Sequence, residues 1–187
     1  MQLKLRFSLF WAQLTKETIM SEVIGFFGGA FSPLHAGHIR MVFEVLEKRY
    51  VSKVVMVPAS DAYQKPNLLP ASERLSNLSS IFKWMSSVEV STLDTSKSHF
   101  PHPLATAQEL VDKFSCLHEE LIWIMGGDRL DWIANNDDLK KMTLRYKFII
   151  FERLSFSESH LRGYSKVKEV EDRLIFLPAI PFQDTKN

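Results

Sequence analysis

Short apolar runs alternate along this chain with stripes of helical period. Residues 22–27 (EVIGFF) are largely apolar, β-branched at Val23 and Ile24, and closed by Gly28 and Gly29, which predicts a buried strand running into a turn. From Ala36 onward the apolar residues Ile39, Val42, Phe43 and Leu46 take the spacing of one helix face. Residues 53–57 (KVVMV), ended by Pro58, predict a second strand, followed by a polar loop over 59–71 that contains Pro66 and Pro70. Ser72 is a candidate N-cap for a helix whose buried stripe is Leu75, Leu78, Phe82 and Met85. Residues 88–91 read as a short third strand and 93–103 as a second loop. A helix over 106–117 faces inward through Leu110, Val111, Phe114 and Leu117. The most apolar run, 121–125 (LIWIM), is expected at the centre of a sheet. It ends in Gly126-Gly127-Asp128, and a helix with Leu130, Ile133 and Leu139 follows. Strands at 147–151 (KFIIF) and 173–177 (RLIFL) complete the set, with the polar stretch 155–170 between them unassigned.

Strands that are apolar throughout, alternating with helices, form a parallel sheet covered on both faces. Right-handed crossovers then give an α/β, doubly wound, Rossmann-like domain. Such sheets bind ligands in the crevice outside the strand C-termini. Residues 28–38, 61–70 and 126–132 all fall at those ends, and that convergence follows from the pattern alone.

Composition narrows the picture. A chain of 187 residues suffices for one domain with a sizeable core. A net charge of +1 creates no global field to recruit nucleic acid or an acidic membrane. The single cysteine, Cys116, has no partner for an internal disulfide and reads as a packed or free thiol. No stretch approaches the ~20 apolar residues of a membrane span. At the N-terminus Lys4 and Arg6 precede a short apolar run, 7–12, but Gln13, Lys16 and Glu17 interrupt it before it can serve as a signal peptide. Residues 1–19 are therefore expected to be an extension outside the fold, with Met20 a candidate start and a cytoplasmic location. Oligomeric state is not legible.

The strand–turn–helix at 22–46 suits a phosphate. The first N–H groups of a helix lack internal partners, and the helix dipole adds partial positive charge there. Gly28 and Gly29 leave room against the backbone, while His35 and His38, three apart at the helix start, sit on one face. Imidazoles donate hydrogen bonds to phosphate oxygens, more strongly when protonated. A zinc site is the rival reading, but no third ligand stands at a persuasive spacing. Gly126-Gly127-Asp128 offers a second approach, in which Asp128 accepts from a ribose hydroxyl or simply caps a helix.

The stretch GGAFSPLHAGH (28–38) resembles the first motif of the adenylyltransferases that share a His-x-Gly-His nucleotide site. Within them it most resembles bacterial nicotinate-mononucleotide adenylyltransferase, whose pattern is GGTFDPxHxGH. The resemblance spans roughly 22–178 and implies a nucleotidyltransferase domain over 20–187. It implies transfer of AMP from ATP to a pyridine mononucleotide in NAD biosynthesis, with Mg²⁺ carried by the ATP phosphates and no protein metal site. Gly28, Gly29, Ala30, Phe31, His35 and His38 would line the ATP phosphates, and the two histidines would be catalytic. Lys65 and Arg74 match a lysine and an arginine of the mononucleotide site, and MGGDRLDWI matches the segment carrying Gly127, Asp128 and a ring-stacking tryptophan, here Trp132. That tryptophan comes one helical turn past the Asp instead of the usual two.

Departures from the family pattern are specific. Ala30 replaces a hydroxyl residue, Ser32 an Asp, and Gln64 a His. Pro101-His102-Pro103 stands where the family has Ser-Tyr-Thr, so His102 would substitute in recognising the pyridine carboxylate. The family's C-terminal Ser/Thr-rich Ile-Arg motif would begin about where this sequence reads PFQDTKN; 157–162 (SESHLR) has a similar look but precedes the sixth strand. A catalytically impaired nucleotide-binding relative and a phosphopantetheine adenylyltransferase are the alternative readings.

Overall fold

The computed structural model describes residues 22–135, 139–153 and 155–180. The expectations about 1–19 and about the motif beyond Pro181 lie outside those residues. Six strands form one parallel sheet: β1 (Ile24–Gly29), β2 (Lys53–Pro58), β3 (Val88–Val90), β4 (Leu121–Gly126), β5 (Lys147–Phe151) and β6 (Leu174–Leu177). Their spatial order is β3-β2-β1-β4-β5-β6. The chain winds outward from β1 in one direction, then returns and winds in the other, so the order reverses between β1 and β4.

The connecting helices are α1 (Ala36–Glu47), α2 (Ala71–Phe82), α3 (Pro103–Phe114), α4 (Gly127–Asn135), α5 (Leu139–Thr143), α6 (Glu158–Leu161) and α7 (Ser165–Lys168). They cover both faces. Ile122 and Ile124 of β4 pack in the cluster with Val42, Val45, Leu78 and Phe82, against α1 and α2. Leu121, Trp123 and Met125 of the same strand pack in the cluster with Leu110, Leu130 and Met142, against α3, α4 and α5. Burial on both sides explains why the strands show no apolar–polar alternation. Each fully buried aliphatic side chain contributes about 1.5–3 kcal/mol, so this two-sided core dominates the stability. Among the described residues no helix is long and apolar enough to cross a membrane.

Several details differ from the sequence reading. The inward face of α1 is Gly37, Met41, Val42 and Val45, with Ile39 and Leu46 only partly buried, while Phe43 is 47% exposed. The buried stripe is turned by about one residue from the expected one. The N-cap of α2 is Pro70, not Ser72, since the helix already begins at Ala71. Leu117 is not inward: α3 stops at Phe114, Ser115 adopts a left-handed conformation (φ 49), and Leu117 is left 68% exposed. Leu139 opens a separate helix, α5, and the unassigned 155–170 stretch holds α6 and α7.

Candidate active site

The register brings two glycine pairs to one edge of the sheet. Gly28 and Gly29 pair with Val57 and Pro58 at the end of β1, and Gly126 pairs with Phe151 at the end of β4. β1 and β4 are neighbours, so the crevice at the reversal point lies between these ends. A cavity of about 540 Å³ opens there. Its wall includes the 28–31 backbone, His38, Tyr63, the 100–103 loop, Asp128, Trp132 and Arg153.

The glycines act differently from the sequence expectation. A Cβ on Gly28 would meet the Phe26 ring at 3.2 Å, and one on Gly29 would meet the Phe31 ring at 3.2 Å. They make room for buried aromatics as well as for a ligand at the backbone. Phe31 takes a left-handed φ of 48, and its own side chain is 1% exposed. Its contribution to the cavity is therefore chiefly main-chain. A Cβ on Gly126 would stand 2.5 Å from Asp128 Oδ1 and 2.9 Å from Arg153 Nε, so a side chain there would break into the Asp128–Arg153 ion pair. At Gly127 a Cβ would lie 2.7 Å from the Phe156 carbonyl oxygen; this glycine lets the 155–157 segment close over the start of α4.

The two imidazoles are not equivalent. Their rings stack at 3.7 Å between centroids, 26° apart, but only His38 is part of the cavity wall. Phe31 meets His38 edge-on at 5.1 Å, which fixes the ring. His38 Nδ1 accepts a 3.4 Å hydrogen bond from the His35 N–H, so its proton sits on Nε2 as a donor. Burial lowers the His38 pKa to about 3, helped by His35, Arg153 and Lys65. Burial, then Arg153, then Lys65 also lower that of His35. Both imidazoles are thus held neutral near pH 7, so they donate to phosphate as neutral rings and not in the stronger protonated form. His35 Nδ1 is buried with no hydrogen-bond partner among the described residues.

The β4 side carries the charge. Arg153, just past β5, ion-pairs through Nε with Asp128 Oδ1 at 2.8 Å. It also stands close enough to depress both histidine pKa values. Sequence reasoning missed Arg153; the only signal was a lone arginine just beyond the fifth strand. Trp132 reaches the wall and is 49% exposed, with the Arg129 guanidinium 4.4 Å from its ring centre. His102 Nδ1 accepts from the Leu104 N–H at 3.3 Å, capping α3.

Four named residues do not line the cavity: His35, stacked behind His38, and Arg74, Lys65 and Gly127. Arg74 is a correction: it is 0% exposed, and Nε donates to the Leu69 carbonyl at 2.8 Å, Nη1 to that of Ala30 at 3.2 Å, and Nη2 to Asp61 at 2.7 Å. A guanidinium so committed holds the 59–70 loop to the β1 turn and is not presented to a ligand. Lys65 Nζ donates to the Ser32 carbonyl, near the histidines whose pKa values it depresses. Gly127 serves packing, as described.

Fold and site together define an α/β protein of the nucleotidyltransferase fold, with a cavity and a stacked histidine pair at the reversal point of a parallel sheet. Residues 26–184 match the family model described as cytidylyltransferase-like, and the chain belongs to that family. It is 30% identical over 135 residues to a probable nicotinate-nucleotide adenylyltransferase of Opitutus terrae, covering 71% of this chain and 68% of that one. It is 27% identical to a protein of the same name from Methylacidiphilum infernorum, over 86% of this chain and 74% of the other. Among solved structures it is similar to Plasmodium falciparum nicotinic acid mononucleotide adenylyltransferase complexed with NaAD. There the TM-score is 0.63 at 20% identity, covering 84% of this chain and 75% of that chain, which bears on the fold alone.

Proposed function

We propose that this chain transfers AMP from ATP to nicotinate mononucleotide, or a related pyridine mononucleotide, and releases pyrophosphate in NAD biosynthesis. The observation that carries this reading is the single cavity joining His38 and the 28–31 backbone at β1 to Asp128 and Trp132 at β4. A phosphate oxygen of the mononucleotide attacks the α-phosphorus of ATP in line; the new P–O bond forms as the bond to the β-phosphate oxygen breaks. The nucleophile is already an anion, so no general base and no covalent enzyme intermediate are needed. Catalysis is positioning and charge neutralisation.

His38 Nε2–H donates to the α/β-phosphate oxygens where charge grows toward pyrophosphate, with His35 stacked behind it. The N–H groups of Ala36 and Gly37, in the first turn of α1, lie at the positive end of the helix dipole. Lys65 exchanges the Ser32 carbonyl for phosphate. Asp128 accepts from ribose, Trp132 meets the pyridine ring, and His102 faces its carboxyl substituent. Arg74 acts at one remove, by holding the loop that carries Lys65. Mg²⁺ enters on the triphosphate as part of the substrate; among the described residues no cluster of three or more His, Cys, Asp or Glu side chains stands ready to cage an ion.

The test is incubation with ATP, Mg²⁺ and nicotinate mononucleotide, with nicotinamide mononucleotide and phosphopantetheine as comparison acceptors. Equal amounts of pyrophosphate and dinucleotide are expected from a pyridine acceptor. Calorimetric binding of both substrates without pyrophosphate release would instead favour a non-catalytic nucleotide binder.

A further inference from the structure

The cavity wall includes one carboxylate that the proposed chemistry does not use. Asp94, in the loop after β3, is 7% exposed, and Thr106, in the first turn of α3, is 1% exposed; both face the cavity. Thr106 Oγ1 donates to Asp94 Oδ1 at 2.8 Å. Lys97 Nζ lies 3.6 Å from the same oxygen and 2.6 Å from Glu109 Oε1 on the next turn of α3. The Lys97 N–H donates to the Asp94 carbonyl at 3.1 Å, so the 94–97 turn and its charges form one unit. A buried carboxylate is costly unless its oxygens are paired, and here it is paired to Thr106 of the helix it faces and to Lys97 of its own turn.

Between this knot and the His102 cap of α3 hangs the strip of wall formed by Phe100, Pro101, His102 and Pro103. Phe100 also packs against Tyr63 of the opposite loop, 4.8 Å between ring centres. Two prolines remove N–H donors from the strip, so little main-chain hydrogen bonding fixes it from within. Its position depends on the ties at its ends.

We infer that Asp94, through Thr106 and Lys97, is the positioning residue that sets the 100–103 wall against the acceptor mononucleotide, and that it does not serve the ATP half of the site. This rests on the functional reading above, in which the 100–103 loop faces the pyridine. Removing the carboxylate orphans the Thr106 hydroxyl and leaves Lys97 tied to Glu109 alone, and a displaced wall weakens acceptor binding while leaving the His38 mouth in place.

The experiment is steady-state kinetics in each substrate, with calorimetry of each binary complex and a melting curve, for the parent chain, Asp94→Ala, Asp94→Asn and Thr106→Val. For Asp94→Ala, KM for the mononucleotide is expected to rise about tenfold while KM for ATP stays within about twofold. Thr106→Val should shift the same parameter by a smaller factor, roughly threefold, since it removes one tie of two. Asp94→Asn keeps an oxygen to accept from Thr106 and should lie nearer the parent. KM values for both substrates moving together, or a lowered melting temperature with KM unchanged, would overturn the inference. If Asp94→Ala does not fold, Thr106→Val carries the same decision. A parent chain that binds no pyridine mononucleotide defeats the functional reading and this one with it. A parent that binds it, with variants that bind it equally well, defeats only this one.

Discussion

The two ends of strand that meet at the cavity are built in opposite ways. The β1 end is a contiguous stretch: the 28–31 backbone, a left-handed Phe31, and two imidazoles stacked on each other and pinned by an aromatic edge. Its two imidazoles carry no charge, because burial keeps His35 and His38 neutral, and the nearby Lys65 ammonium is held on the Ser32 carbonyl. The β4 end is assembled from distant pieces, with Arg153 from beyond β5 paired to Asp128 of α4, and Asp94 tied to α3. Its charges are fixed and mutually satisfied. A site for two anionic substrates thus has one mouth of rigid, neutral donors and one of compensated charge. On the proposed reading, a polyphosphate at the first meets no ion pair that must break beforehand. At the second, Arg153 Nε and Asp128 Oδ1 already neutralise each other, so a ligand there competes with that ion pair.

The largest effect should come from breaking the neutral end. His38→Ala removes the imidazole that the β1 end contributes to the cavity wall. It should lower the rate of pyrophosphate release by about 100-fold or more, as loss of one charge-stabilising donor does elsewhere. The melting curve should stay close to that of the parent, because the ring is packed against Phe31 and His35 at the rim and not within the sheet core. A variant that turns over like the parent would transfer the phosphate role to the other end. Next is Arg153→Met, expected to cost about tenfold in kcat/KM if a charge-assisted hydrogen bond to phosphate is lost. It carries a second readout. Because Arg153 depresses both histidine pKa values, its removal should raise them, visible in imidazole proton shifts across a pH titration. Unchanged titration would mean that the two ends do not sense each other.

The same contrast explains what could be read in advance. All six strands and the parallel class were legible because runs such as LIWIM and KFIIF are buried on both faces and carry the signal without tertiary context. The β1 mouth was legible because its parts are contiguous. The β4 end was not. Arg153 looks like any arginine after a strand until β5 is placed beside β4, and Asp94 looks like any loop aspartate until α3 is placed over it. Arg74 erred in the opposite sense: its position matched a ligand-binding arginine, but three oxygens of the neighbouring loops take up its donors. Spacing along a chain reports which face a side chain shares, not whether its hydrogen bonds are already spent.

Acid should weaken the fold through the β1 end in particular. Both histidines have folded pKa values below the ordinary value, so the unfolded chain binds more protons than the native one once the pH drops below about 6.5. Their contribution is fully present above that pH and is lost progressively as the pH falls toward about 3, the folded value for His38. Urea midpoints measured near pH 7.5 and near pH 5 should therefore fall for the parent, and fall less for His38→Ala, over a window that lies mostly above the titration of ordinary carboxylates. Parallel losses in the two chains would show that the neutral ring costs nothing to keep.

The smallest expected effect tests whether the β4 end recognises the acceptor base. Trp132 is half exposed, and Arg129 occupies the vicinity of its ring at 4.4 Å. A stacked aromatic contributes about 0.5–1.5 kcal/mol beyond its buried area, so Trp132→Ala should raise KM for the mononucleotide by a factor of roughly three to ten and leave KM for ATP unchanged. Trp132→Phe retains a flat ring and should recover most of the loss. The assignment is specific because Trp132 sits on α4 one helical turn past Asp128, whose ribose role would move the same parameter. Asp128→Asn combined with Trp132→Ala then decides between shared and separate contacts. Additive losses mean that ring and ribose are held independently, whereas a double variant no worse than the poorer single one means that α4 presents them as one unit. An altered KM for ATP in Trp132→Ala would place the adenine, not the pyridine, against that ring and exchange the two halves of the cavity.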